Sequence, residues 1–298
     1  VNLLITGAWK DAKEYIRKIE ADGHKVHFFQ FEKDELPCSY EWVEGVICNG
    51  LFLTHDIRKF IINLRYIQLT SAGFDRVPMD YVKEHNIVIN NARGVYSIPM
   101  AEFALFGVLE LYKKGRKFFE NQKQHIWEKQ RNLYELFGKK VCIVGCGSVG
   151  TECAKRFRAF GCIVSGIDIF PRCDDNYEKI FGLEKLEDMI LKSDIVILTL
   201  PLTDKTRHLI DKAKVEKMKE GTILINIARG AIVDIHALTS ALPKLGGVVL
   251  DVFEEEPFNE DNPLWDMENV IITPHNSFAG EGNDRRLDGV IMENLTCI

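Results

Sequence analysis

The 298-residue sequence has no run of about 18 uncharged apolar residues, the length a membrane-crossing helix needs. Its most apolar window, Ile98 to Tyr112, is shorter and carries Glu102 and Glu110, so it reads as a buried helix. Positive charge is not in excess. A net charge of −6 leaves no broad basic surface, which speaks against nucleic acid as a partner. The start of the chain, Val1-Asn2-Leu3-Leu4-Ile5, lacks the cationic segment and long apolar core of a secretory signal. The resulting expectation is a cytoplasmic protein with no membrane partner. Low-complexity tracts, Gly/Ser linkers and internal repeats are also missing, so disordered and fibrous classes are excluded. Cysteine occurs eight times but never as Cys-x-x-Cys, and no Cys and His spacing follows a zinc pattern, so no metal is expected. Several cysteines sit in apolar runs such as Val141-Cys142-Ile143-Val144, where the thiol acts as a small hydrophobe.

What is present is alternation. The first ninety residues switch between short apolar runs (Leu3–Ile5, Val26–Phe29, Gly45–Cys48, Tyr66–Leu69, Ile87–Ile89) and amphipathic segments, the first from about Asp11 to Ala21. Strand and helix in turn predict an α/β fold with a doubly wound parallel sheet. Between Asn90 and Lys140 the pattern becomes one long helical stretch, with Ser97 as N-cap and Pro99 in the first turn. Residues 100 to 112 are apolar nearly all round and need cover from a domain junction or a second subunit. The charged run Lys113–Lys117 reads as a solvated face. From Lys140 the alternation restarts, with strands expected near 141–145, 162–167, 194–199, 222–227, 247–251 and 270–272. Two α/β domains follow, as the length of 298 residues also suggests.

The sharpest local signal is Val141-Cys142-Ile143-Val144-Gly145-Cys146-Gly147-Ser148-Val149-Gly150, a buried strand entering Gly-x-Gly-x-x-Gly at the start of a helix. Gly145 permits the tight turn, Gly147 lets backbone approach a pyrophosphate, and Gly150 lets the helix pack on the strand. The free N–H groups of Ser148 and Val149 at the helix start suit phosphate. The next expected strand ends in Asp168, whose carboxylate can accept both adenosine ribose hydroxyls and would repel the 2′-phosphate of NADP. NAD is therefore the expected cofactor, with Arg172 as the one residue that could soften that repulsion.

Three further expected strands end in Asn226-Ile227-Ala228-Arg229-Gly230, in Asp251-Val252-Phe253-Glu254-Glu255-Glu256-Pro257 and in Thr273-Pro274-His275. Open parallel sheets build their sites at strand carboxyl ends, so an Arg, a Glu and a His meet where a nicotinamide ring belongs. Together they can bind a carboxylate, orient an imidazole and move a proton. A carboxylate beside His275 stabilises the imidazolium and holds the ring in one orientation. Arg229 offers a planar fork to a carboxylate and can polarise a keto oxygen.

With Thr70-Ser71-Ala72-Gly73-Phe74-Asp75, Asn91-Ala92-Arg93-Gly94, Leu200-Pro201-Leu202-Thr203 with Thr206, and Asp234, these motifs resemble the D-isomer-specific 2-hydroxyacid dehydrogenase family over nearly the whole chain. The resemblance implies a Rossmann NAD-binding domain, residues 94–276, inserted into a flavodoxin-like substrate domain made of residues 1–93 and 277–298. It implies that Arg229 binds the substrate, Glu256 partners the histidine, and His275 is the acid/base. Asp251 would meet the nicotinamide carboxamide, and Ser97, Leu200, Pro201, Thr206 and Ala228 would join Gly145, Gly147, Ser148, Val149, Gly150 and Asp168 around the cofactor. Ser71, Ala72 and Gly73 would receive the substrate carboxylate, with Asn49 and Gly50 on the same side. The family resemblance also implies a homodimer formed through residues 100–112 and a site at the junction of the two domains.

Departures from the family pattern narrow the substrate. Glu256 stands where the formate branch carries glutamine, which speaks against formate. Asn49-Gly50-Leu51 has no cation where phosphoglycerate enzymes often place an arginine. After His275 the chain reads Asn276-Ser277-Phe278-Ala279 rather than a Gly/Ala-rich continuation, and Phe278 reads either as a pocket wall or as a core aromatic. The expected reaction is hydride exchange between NAD and a small 2-keto or D-2-hydroxy acid such as glyoxylate, hydroxypyruvate or pyruvate. The rival expectations are an NAD(H)-sensing, corepressor-like binding protein on the same fold and a phosphoglycerate-dehydrogenase-like enzyme.

Overall fold

The apolar runs near the amino terminus become strands β1 (Asn2–Thr6), β2 (Lys25–Phe29), β3 (Gly45–Cys48), β4 (Tyr66–Leu69) and β5 (Val88–Asn90). All pairings are parallel, in the order β2-β1-β3-β4-β5. The central strands β3 and β4 are buried at every position, as a sheet covered on both faces requires, which explains their unbroken apolar sequences. The computed structural model describes residues 1–7, 12–30, 35–60 and 63–297; Asp11 and Ile298, which took part in the expectations above, lie outside the described residues. The chain divides into two units, Val1–Tyr96 with Gly280–Ile298, and Ser97–Ala279.

The helix Asn283–Leu295 completes the first unit. Ile291 and Leu295 are buried against Leu3, Ile5, Tyr15, Ile47 and Tyr66. A polar tie adds direction to that apolar contact. The fully buried Gln68 accepts hydrogen bonds at Oε1 from Asn294 (2.8 Å) and from the Tyr66 hydroxyl (3.1 Å), while its Nε2 donates to the Leu69 carbonyl (2.8 Å). A buried amide left unpaired is costly, so this network selects one seat for the helix.

The second unit holds β6 (Lys140–Val144), β7 (Ile163–Ile167), β8 (Lys179–Phe181), β9 (Ile195–Leu198), β10 (Ile223–Asn226), β11 (Gly247–Leu250) and β12 (Val270–Ile272). They form one parallel sheet in the order β12-β11-β10-β9-β6-β7-β8, which reverses direction beside β6. Register does the rest. Val144 pairs with Ile167 and Leu198, Asn226 with Leu198 and Leu250, and Leu250 with Ile272. The glycine loop, Asp168, Thr199, the Arg229 turn, Asp251 and Thr273 therefore all leave the sheet at one edge, where such sheets bind ligands. The edge strand β8 was not expected; it has three residues and pairs only with β7.

The expected helical stretch from Asn90 to Lys140 is shorter and broken. Helix Ser97–Lys113 stops where Lys114 takes a left-handed conformation (φ 51°), a second helix covers Gly115–Lys123, and no regular element follows until Lys140. Ser97 is the first helical residue rather than a cap before it, and it is buried. The helix meets the sheet closely: a Cβ on Gly107 would stand 2.8 Å from Val249. Ala101, Ala104 and Val108 are fully buried, while Phe106 is exposed. Among the described residues no helix is long and apolar enough to cross a membrane.

Candidate active site

At the end of β6, Gly145 has a left-handed backbone (φ 96°), and a Cβ there would lie 2.7 Å from the backbone nitrogen of Leu200. A Cβ on Gly150 would stand 2.2 Å from the Gly145 carbonyl oxygen. Any other residue at either place forces strand, loop and helix apart. Gly147 differs: nothing lies within 4 Å of where its Cβ would be, so the helix start is open to a ligand. Helix Ser148–Ala159 has Gly147 as its cap, with no side-chain hydrogen bond to the first turn, and the N–H groups of Ser148, Val149 and Gly150 remain suited to an anion. This cradle fits a dinucleotide pyrophosphate.

Neighbouring loops brace it. Asp168 accepts the Cys146 N–H at Oδ2 (2.7 Å) and the Phe170 N–H at Oδ1 (2.9 Å). Arg172 donates to the Cys146 carbonyl, so the middle of the glycine loop is gripped on both sides of one residue. Thr199 donates to the Gly145 carbonyl (2.6 Å). Thr206 donates to the Pro201 carbonyl (2.8 Å) and accepts the Thr203 N–H (2.7 Å), folding the loop after β9. Ala228 and Leu200 are buried where these loops meet the sheet. Thr199 and the grip of Arg172 were not evident in the sequence, because each acts through a backbone carbonyl far along the chain.

The Arg229 turn is fastened by Asn226, another residue the motifs did not single out. Its buried side chain donates to the Arg229 carbonyl (2.9 Å) and accepts the Ala228 N–H (3.1 Å). Gly230 then presses on the segment after β11, where a Cβ would fall 1.9 Å from the Phe253 carbonyl carbon. Glu256 on that segment accepts the Phe253 N–H at Oε1 (3.0 Å) and meets His275 Nδ1 at Oε2 (2.8 Å). Burial works against the charged form of Glu256; the His275 ring, the Phe253 N–H and the Arg229 charge outweigh it and hold the carboxyl below its usual range. His275 Nε2 has no partner among the described residues, which leaves that nitrogen available for proton transfer.

His275 has a left-handed backbone (φ 51°), uncommon for a residue with a side chain, and its N–H donates to the Asp251 carbonyl (2.8 Å). The Asp251 carboxylate, 0 % exposed, accepts the Thr273 hydroxyl (2.7 Å), the Asn276 N–H (2.7 Å) and the Ser277 N–H (3.0 Å). Asp251 thus shapes the loop that carries His275, and three donors of its own chain occupy it. Phe278 stands edge-on to the His275 ring, centroids 6.2 Å apart, and its 43 % exposure sets it apart from a core aromatic.

The residues expected to meet the substrate carboxylate lie in the first unit, after β4. Every carbonyl of that loop is taken: Thr70 by the Tyr96 hydroxyl, Ser71 by the Ala92 N–H (3.0 Å), Ala72 by Asn91 (2.6 Å) and Gly73 by the Ser71 hydroxyl (3.4 Å). The N–H groups of Ser71, Ala72 and Gly73 have no acceptor among the described residues. Such a run of amides suits an anion. Asn49 uses its side-chain oxygen to cap the Leu51 N–H (2.6 Å). Gly50 lies against Arg76, whose Cβ is 3.4 Å from where a Gly50 Cβ would stand, so an arginine side chain starts beside the loop that carries none in sequence.

Comparison with known proteins agrees with this geometry. Residues 105–277 match the family model described as D-isomer specific 2-hydroxyacid dehydrogenase, NAD binding domain. The chain is 33 % identical to a glyoxylate reductase of Korarchaeum cryptofilum over 281 residues, 88 % of this chain and 84 % of that protein. It is 32 % identical to a D-3-phosphoglycerate dehydrogenase of Methanocaldococcus jannaschii over 84 % of its own length, but spans only 48 % of that relative. A crystal structure of a D-isomer specific 2-hydroxyacid dehydrogenase family protein from Aeromonas salmonicida superposes with a TM-score of 0.85 at 28 % identity, covering 99 % of this chain and 94 % of that one. The chain belongs to the D-isomer-specific 2-hydroxyacid dehydrogenases, enzymes that use NAD as cofactor.

Proposed function

We propose that the protein interconverts a small 2-keto acid and the corresponding D-2-hydroxy acid, with His275 as the acid/base, Glu256 as its partner and Arg229 as the substrate-binding cation. The observation that carries this reading is the 2.8 Å pairing of His275 Nδ1 with Glu256, on the sheet edge that also holds the Arg229 turn and the glycine loop. Bound in the glycine-loop cradle, NAD would supply or accept the hydride at C2 of the acid. Glu256 holds one ring nitrogen of His275 and leaves Nε2 to deliver a proton to the keto oxygen in reduction, or to take the hydroxyl proton in oxidation. Arg229 pairs with the substrate carboxylate through a planar fork and draws charge toward the keto oxygen. Asp168 at the end of β7 favours the unphosphorylated ribose of NAD.

Glyoxylate, hydroxypyruvate and pyruvate are the substrates favoured by the loop Cys48–Leu51, which carries no cation of its own. A second reading, a 2-keto acid bearing a phosphate, is favoured by Arg76 beside Gly50. An NADH-absorbance assay over glyoxylate, hydroxypyruvate, pyruvate and a phosphorylated 2-keto acid separates them. Fastest oxidation of NADH by one of the three small acids supports the first reading. A flat response to all four with NADH still bound would return the protein to a sensing role. For the assembly, a second copy of this chain would cover the outer face of residues 100–112, where Phe106 is exposed; sedimentation as a monomer would remove that reading.

The Glu256 carboxyl lies below its usual range, so the stabilisation it lends the imidazolium is complete at neutral pH and is lost only as pH falls through that lowered value. Glu256→Gln removes the negative charge at every pH. The alkaline limb of 2-keto acid reduction, which needs the protonated ring, should then move to lower pH. An unchanged pH profile of kcat would count against the pair.

A further inference from the structure

The segment after β11 carries two histidine–carboxylate contacts. Glu256 meets His275, and two residues earlier Glu254 meets His208, Nε2 to Oε1, at 2.5 Å. Arg207 Nη1 lies 4.0 Å from the other Glu254 oxygen. His208 is held from behind. Its backbone is left-handed (φ 48°), and its N–H donates to the Ala231 carbonyl (2.7 Å) in the turn that follows Arg229. That turn in turn presses Gly230 onto the Phe253 and Glu254 backbone, with a Cβ there only 1.9 Å from Phe253. Three loops close on one another: Thr203–His208, Arg229–Ile232 and Phe253–Glu256. Each bears a residue of the proposed machinery, namely Thr206, Arg229 and Glu256.

We propose that His208 and Glu254 form a positioning pair that pins the Phe253–Glu256 turn to the Thr206 loop, so that Glu256 stays on His275. The proposal rests on the reading of His275 as the acid/base. The turn needs a second anchor because Glu256 is itself half-exposed and is tied to its own loop only through the Phe253 N–H. With Glu254 free, a shift of the turn by about 1 Å would carry Glu256 beyond hydrogen-bond reach of the ring. Arg207 alone is too distant to replace the hydrogen bond that His208 supplies.

The test compares Glu254→Ala, Glu254→Gln and His208→Asn in the full chain. Glu254→Gln keeps an oxygen that can accept from His208, and His208→Asn keeps a residue that tolerates a left-handed backbone. Glu254→Ala and His208→Asn should lower kcat roughly tenfold while KM for NADH changes much less, and Glu254→Gln should restore most of the rate. A second readout needs no cofactor: in protein carrying 15N-histidine, the His275 Nδ1 proton shared with Glu256 should be seen in the wild type and in Glu254→Gln. It should be lost by exchange in Glu254→Ala. Persistence of that signal in Glu254→Ala overturns the proposal, whether or not the rate falls. Failure of the acid/base reading is distinguishable, because it would show as turnover retained in His275→Ala while the His275 signal still depends on Glu254.

Discussion

His275→Ala should lower kcat for 2-keto acid reduction roughly a thousandfold, the size of a lost acid/base group, and leave NADH affinity unchanged. The proposed cradle for the cofactor is made of Gly145, Gly147, Gly150, Asp168 and Thr199, and the hydrogen bonds of Asp168 and Thr199 there do not run through the imidazole. Alanine is less at ease than histidine at a φ of 51°, so a drop in rate could be ascribed to a distorted loop. His275→Asn answers that objection, since asparagine adopts the left-handed conformation readily but cannot shuttle the proton. Both variants should fail alike in stopped-flow turnover and bind NADH alike by fluorescence titration. Retention of most of the rate in either one would sink the assignment.

The second large effect concerns stability. Asp251→Ala should destabilise the second unit by about 3 kcal/mol, because the Thr273 hydroxyl and the Asn276 and Ser277 N–H groups lose the fully buried carboxylate that accepts all three. Asp251→Asn should recover little: an amide keeps one oxygen and turns its NH2 toward a donor. Urea unfolding checks the first expectation through its midpoint, and hydrogen exchange at Asn276 and Ser277 locates the damage. A wild-type midpoint for Asp251→Ala would show that the loop holds its shape without the carboxylate.

The sheets were legible in the sequence because both are parallel and covered, so their inner strands are unbroken apolar runs such as Ile195–Leu198 and Ile223–Asn226. β8 escaped notice since an edge strand of three residues, paired on one side only, leaves almost no periodic trace. Arg229, Glu256 and His275, the proposed machinery, stand out in the sequence for a related reason: in a parallel sheet, position after a strand is position at the ligand-binding edge. The residues that hold those three were hidden. Asn226 fastens its own turn through backbone groups, Asp251 shapes the His275 loop 25 residues away, and the His208–Glu254 contact joins residues 46 apart, a distance at which composition and spacing carry no signal. Phe278 is ambiguous in the sequence, since an aromatic six residues past a strand end can turn either way; in the structure its ring stands beside His275.

The seat of helix Asn283–Leu295 has a consequence for the order in which the protein is made. Ile291, Leu295 and Asn294 complete the core around Leu3, Ile5 and Gln68, so the first unit cannot close until that helix has left the ribosome. The second unit, Ser97–Ala279, is contiguous and can fold while synthesis continues. The nascent chain therefore carries an unfinished sheet, with the Tyr66 and Ile47 face uncovered, for as long as translation of the following two hundred or so residues takes. Chaperone demand during synthesis should fall on that early segment rather than on the nucleotide-binding one.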